Sequence, residues 1–157
     1  MRIALGADEN LPLLGDIAHY LEERGHQIQL LGAPASGKQE PWAPTAVAVA
    51  EAVVQGNADF GVVCCWTGTG VAIAANKVTG ARAALCVDAE TARGARKWND
   101  ANVLALSLRR TAPAVAREIL DAWLDETYDG TEEESLGAIR DLEGDQSSGE
   151  PSRSSAR

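Results

Sequence analysis

The chain has 157 residues, enough for one domain of ordinary size, and its 45% hydrophobic and 24% charged residues exclude wholesale disorder. Fourteen Lys and Arg against 23 Asp and Glu give a net charge of -9, which repels a phosphate backbone and argues against nucleic acid as a partner. No apolar run approaches the roughly 20 residues of a membrane span, and the opening Met1-Arg2-Ile3-Ala4 reads as strand rather than signal peptide, so the sequence predicts a cytoplasmic protein with no membrane contact.

Arg2 to Gly6 predicts a first strand and Leu11 to Arg24 an amphipathic helix closed by Gly25. Gln27 to Leu31 predicts a second strand. Gly32 to Pro44, rich in Gly and Pro, predicts a loop, and Ala46 to Gln55 a return to helix. Phe60 to Cys65 is a continuous apolar run of the kind buried on both faces of a sheet. Gly68 and Gly70 break it, Val71 to Lys77 starts another helix, and Ala81 to Cys86 resumes as strand. Glu90 to Lys97 predicts helix, Val103 to Leu106 a fifth strand, and Ala112 to Glu126 a long amphipathic helix. Strands alternating with helices predict an α/β fold, a Rossmann-like three-layer sandwich around a five-stranded parallel sheet. Leu136 to Leu142 predicts a short last helix. Residues 1–143 read as a single domain and 144–157, nearly devoid of apolar side chains, as a disordered acidic, Ser-rich tail.

Three cysteines, Cys64, Cys65 and Cys86, do not make a disulfide framework in a chain without export signals. With two histidines, His19 and His26, no zinc spacing appears, and no metal or cofactor is called for. Neighbouring residues on a strand face opposite ways, so Cys64 and Cys65 have different surroundings. Ligands of open parallel sheets collect where strands end and helices begin. Two segments fit that position: Gly6-Ala7-Asp8-Glu9-Asn10 and Cys64-Cys65-Trp66-Thr67-Gly68-Thr69-Gly70. A Gly-x-Gly turn exposes backbone N–H groups to an oxyanion. It has neither the third glycine of a dinucleotide fingerprint nor the Gly-Lys-Ser/Thr of a P-loop, so a nucleotide-binding module gains no support.

The run Cys65-Trp66-Thr67-Gly68-Thr69-Gly70-Val71-Ala72-Ile73-Ala74-Ala75-Asn76-Lys77-Val78, with Gly80 to Cys86 and Trp98-Asn99-Asp100-Ala101-Asn102-Val103 to Leu106, resembles the ribose-5-phosphate isomerase B and galactose-6-phosphate isomerase family over roughly residues 1–128. The resemblance implies aldose–ketose isomerisation through an enediol without a cofactor, in a homodimer or dimer of dimers with sites between subunits. It implies that Cys65 is the base that moves a proton between adjacent sugar carbons, with Thr67 assisting at the ring oxygen. Gly68 and Gly70 would belong to the enediolate-stabilising loop that includes Thr69. Asp8 and Asn99 would bind the sugar, and Arg109 would help hold a phosphate. Val71 stands where another branch of the family carries a glutamate base.

Departures from the family pattern are equally specific. Glu9 and Trp98 stand where the family has histidines, the second of them the ring-opening residue, and Trp66 where a glycine follows the cysteine. Thr131-Glu132-Glu133-Glu134-Ser135 occupies a stretch where the family carries phosphate-gripping arginines, and points away from ribose 5-phosphate as the substrate. Trp66 and Trp98 are read either as stacking walls for a sugar or as filler in a subunit interface, and Trp42, after Pro41, as a packing residue or as a loop contact that closes over the site. Thr67 is read as a ligand contact or a helix cap, Asp8 as a ligand contact or a turn tie, and Cys64 and Cys86 as core residues. The competing function is a non-catalytic sugar-binding or regulatory protein on the same fold.

Overall fold

The computed structural model describes residues 1–147. Five strands form one sheet: β1 (Arg2–Ala7), β2 (Gln27–Gly32), β3 (Phe60–Cys65), β4 (Ala83–Leu85) and β5 (Val103–Ser107), in the order β2-β1-β3-β5-β4. Every pairing is parallel, with Ala7 opposite Cys64 and Cys65 opposite Ser107. Around the sheet lie α1 (Pro12–Glu23), α2 (Ala33–Ser36), α3 (Trp42–Val54), α4 (Thr69–Ala75), α5 (Ala89–Asn99), α6 (Pro113–Asp125) and α7 (Glu133–Ser147).

Strand alternation divides the core into two layers. Ile3, Leu5, Ala7, Val62, Cys64, Leu104 and Leu106 meet Leu14, Ile17 and Leu21 of α1, Ala92 and Ala95 of α5, and Ile119, Leu120 and Trp123 of α6. Ala4, Val63, Cys65, Val103 and Ala105 face the other way, toward Ala46, Val49 and Ala50 of α3 and Val71, Ala74 and Ala75 of α4. Each fully buried Leu or Ile of the first layer contributes about 1.5–3 kcal/mol by leaving water. The second layer is built from small residues and stands closer. A Cβ added to Gly6 would lie 2.6 Å from Val49 Cγ2, and one added to Gly61 would lie 2.7 Å from Val49 Cγ1. These two glycines let α3 settle onto the sheet.

Three segments differ from the sequence expectation. The predicted loop Gly32 to Pro44 contains α2 and the first turn of α3, which begins at Trp42 with Pro41 as its N-cap. Pro44 sits in that first turn, where its missing N–H forfeits no helical bond. β4 is shorter than Ala81 to Cys86 because side chains take up its entering amides: Asn102 Oδ1 accepts from Arg82 N at 2.7 Å and Asn76 Oδ1 from Ala83 N at 2.8 Å. α7 extends the predicted Leu136 to Leu142 helix at both ends, through Ser147. The rest of the predicted tail lies outside the described residues. Among those residues no helix is long and apolar enough to cross a membrane.

Candidate active site

Because all strands run the same way, their carboxyl ends share one edge of the sheet. After β1 the chain enters α1 on one face, and after β3 it enters α4 on the opposite face. The diverging loops leave a crevice between β1 and β3, the place where open α/β sheets bind ligands. A cleft of about 310 Å³ lies there, lined by Asp8, Trp42, Cys65, Trp66, Thr67, Thr69 and Gly70.

Cys65 ends β3 with its side chain on the α3/α4 face, 6% exposed and at the cleft wall. Its neighbour Cys64 points into the opposite layer, fully buried, where loss of hydration drives its thiol far above the ordinary range. Cys86 is buried as well and pushed up to about 12 for the same reason. All three thiols are free, and only Cys65 among them meets a cleft.

The loop after Cys65 is held by its main chain. The Leu108 and Gly68 amides donate to the Cys65 carbonyl at 2.9 and 3.2 Å, and the Arg109 amide donates to the Trp66 carbonyl at 3.1 Å. Ser107 Oγ donates to the same Trp66 oxygen at 2.9 Å. Gly68 adopts φ 76°, and a Cβ there would meet Leu85 Cδ1 at 2.5 Å and the Leu106 carbonyl carbon at 2.9 Å. Only glycine permits both that backbone conformation and that approach. Gly68 therefore shapes the loop from a buried position, and its amide is engaged with Cys65. The first amides of α4, on Thr69, Gly70 and Val71, precede any intrahelical acceptor, and of these three residues Thr69 and Gly70 line the cleft. Thr67 makes no cap for this helix. Its hydroxyl meets that of Thr69 at 2.7 Å instead, on the exposed rim of the cleft.

Asp8 follows β1 one residue past the Ala7–Cys64 pair. Its Oδ1 is buried without a hydrogen-bond partner, so it does not tie a turn through that atom. Burial raises its pKa, and the nearby charge of Glu9 adds to the rise, against the opposing pull of the Asp8 and Glu9 amides. Glu9 itself does not line the cleft. Trp42, half-exposed at the start of α3, does, and its ring covers Gly70: a Cβ on that glycine would lie 3.1 Å from Trp42 Cε3. The sequence suggests Trp42 as a contact over the site from a loop; the structure places it at the start of a helix instead. The signal was available in Pro41 and Pro44 as bookends of a helical first turn.

Trp98 and Asn99 are placed elsewhere. α5 starts at the carboxyl edge, where Asp88 Oδ1 caps it by accepting from the Thr91 amide at 2.7 Å, and runs back to the amino edge before β5 begins. Its last residues, Trp98 and Asn99, therefore stand a sheet's width from Cys65. They line a separate cavity of about 440 Å³ with Arg82, Leu136, Ile139 and Glu143. The turn beyond them is pinned. Asp100 adopts φ 44°, while Arg82 Nε donates to its carbonyl at 2.7 Å and Arg82 Nη2 to its carboxylate at 2.8 Å. Arg96, 7% exposed, donates to the Ala101 carbonyl at 2.6 Å and stacks on Phe60. Arg109 lies at the carboxyl edge beside Trp66 with an exposed side chain. Arg140, in the acidic C-terminal stretch, pairs with Glu133. Among the described residues, no group of three or more His, Cys, Asp and Glu side chains is placed to hold a metal ion.

The Cys65 cleft brings together one thiol, a carboxylate with one buried oxygen lacking a hydrogen-bond partner, two hydroxyls and the start of a helix. Comparisons with known proteins find relatives that are named isomerases. The family model described as Ribose/Galactose Isomerase matches residues 3–139. A D-erythrulose-4-phosphate isomerase of Pectobacterium atrosepticum is 38% identical over 131 residues, 83% of this chain and 86% of that one. Ribose-5-phosphate isomerase B of Escherichia coli is 38% identical over 130 residues, 82% and 87% of the two chains. In three dimensions the chain is similar to ribose-5-phosphate isomerase B of Clostridium thermocellum, with a TM-score of 0.88, 37% identity, and coverage of 93% of this chain and 99% of that one.

Proposed function

The chain belongs to the ribose/galactose isomerase family, and we propose that it interconverts an aldose phosphate and a ketose phosphate with Cys65 as the base. The observation that carries this reading is the contrast between adjacent thiols: Cys64 is sealed in the core, whereas Cys65 stands at the wall of a cleft beside the start of α4. The Cys65 thiolate removes the proton from the carbon next to the aldehyde, and the electron pair flows toward the carbonyl oxygen. The resulting enediolate oxygen is met by N–H groups at the start of α4. Protons shift between the two oxygens, and the thiol returns its proton to the former aldehyde carbon, giving the ketose. Asp8 and Thr67 orient the sugar hydroxyls, and Arg109 holds the far end of the substrate.

Trp98 and Asn99 enter this scheme only through a second copy of the chain. We assign the working unit as a homodimer or dimer of dimers in which the amino edge of one subunit completes the cleft of another. Glu9 and the Glu133-paired Arg140 leave fewer cations for a terminal phosphate than the family pattern provides, which favours a substrate other than ribose 5-phosphate. The same observations support the competing reading, a sugar-binding protein without turnover. Incubation with four-, five- and six-carbon sugar phosphates in heavy water separates them. An isomerase incorporates deuterium at the carbon beside the carbonyl; thermal stabilisation by a sugar with no label incorporated overturns the enzymatic reading.

A further inference from the structure

Two indoles flank the Cys65 cleft, and nothing in the proton-transfer chemistry uses them. Trp42 is 45% and Trp66 53% exposed, whereas Trp123 in the core is fully buried. In the single chain both rings stand open at the wall of the cleft, where a ligand or the second copy of the chain would cover them. The main chain of Trp66 is fixed through its carbonyl by the Arg109 amide and Ser107 Oγ, independently of its side chain. The Trp42 ring packs over Gly70, where a Cβ would lie 3.1 Å from its Cε3, and leaves its other side to the cleft.

Resting on the isomerase reading, we propose that Trp42 and Trp66 form an aromatic bracket that receives the C–H face of the substrate and limits its chain length. An indole face carries negative charge density, and sugar C–H bonds present weakly positive hydrogens to it while the hydroxyls remain free for Asp8 and Thr67. Trp66 immediately follows the reactive thiol, so its ring occupies space that a longer sugar needs. The bracket therefore determines specificity and takes no part in moving the proton.

The test uses the full chain with Trp66→Gly, Trp66→Phe and Trp42→Ala, assayed for kcat and KM on four-, five- and six-carbon aldose phosphates. Tryptophan emission is followed during sugar-phosphate titration. Trp66→Gly is expected to raise KM for the preferred sugar about tenfold, with the larger part of the loss in KM. It should also shift preference toward the six-carbon sugar at least fivefold. Trp66→Phe keeps a flat apolar face and restores most of the affinity. Wild-type emission is quenched saturably, and the quench falls by half or more in Trp66→Phe. Kinetic constants and preference within twofold of wild type in both Trp66→Gly and Trp42→Ala overturn the bracket, as does a KM change accompanied by loss of the oligomer on size exclusion. If wild type turns over none of the sugars, the isomerase reading fails and quenching alone decides. Saturable quenching that is lost in Trp66→Phe supports the bracket, and its absence with every sugar overturns it.

Discussion

The carboxyl edge of the sheet and its amino edge both carry residues that the sequence groups into one site, yet they are built on different principles. At the carboxyl edge, Cys65, Trp66 and Thr67 lie on a loop whose main chain is fixed by neighbouring amides, leaving side chains free to face a cleft. At the amino edge the side chains do the fixing: Arg82 and Arg96 grip the turn after Asn99 from two sides. The first region fixes its loop through the main chain and leaves Trp66 and Thr67 exposed beside the nearly buried Cys65. The second holds a strained backbone with committed side chains. A single chain separates the two by the length of the strands, so they could meet one ligand only across two copies of the chain.

The sharpest break of this comparison is Cys65→Ala, expected to lower kcat at least 100-fold in a heavy-water exchange assay, as removal of a general base does. Cys64→Ala, one residue away, should leave kcat within a few-fold and instead lower stability by about 1 kcal/mol. Equal kinetic damage from both variants would sink the assignment. Asn99→Ala is next, with an expected loss of about 10- to 100-fold. If the two edges meet between subunits, refolding Asn99→Ala together with Cys65→Ala restores up to about a quarter of wild-type activity, since half the random dimers then contain one intact site. Absence of any recovery in mixed oligomers would leave each edge to its own chain.

Gly68→Ala tests the backbone that carries the thiol. Its Cβ would strike Leu85 and the Leu106 main chain in a left-handed conformation, and a loss of about 1–3 kcal/mol in denaturant unfolding is expected. Arg82→Ala tests the opposite edge: losing its part-buried bonds to Asp100 should lower stability by about 1–2 kcal/mol. The smallest effect concerns Asp8. Its folded pKa is raised, so the folded state binds its proton more tightly, and stability falls as pH rises from the unfolded carboxyl value through the folded one. Asp8→Asn removes that slope. It should raise Tm slightly at pH 7, with the advantage shrinking as pH falls, while weakening sugar binding. A Tm difference that widens toward acid would show the sign to be wrong.

Most of the architecture was legible because hydrophobic period carries it. Phe60 to Cys65 matches β3 residue for residue, and β1 and α1 end within a residue of their expected bounds. α2 and the start of α3 were obscured by prolines that also suit a helical first turn. β4 was overestimated because the side chains of Asn76 and Asn102, seven and twenty residues from the amides they accept, take up the bonds at its start. The Cys65 loop was legible as a unit because its residues are consecutive. Trp42 was legible as a contact over the site but not as the first residue of a helix, because its placement depends on how α3 packs. The separation of Trp98 and Asn99 from the cleft was within reach of topology: a helix leaving the carboxyl edge of a parallel sheet must return to the amino edge before the next strand begins.

The close seating of α3 on Gly6 and Gly61 has a consequence for how such a protein can change. Trp42 stands at the first position of that helix, so the width of the entrance depends on two strand residues lying beneath the helix. Enlarging either glycine would press on Val49 and push α3, with Trp42, away from the sheet. New substrate preferences can thus arise by adjusting a hinge of small residues, with the chemistry inherited intact.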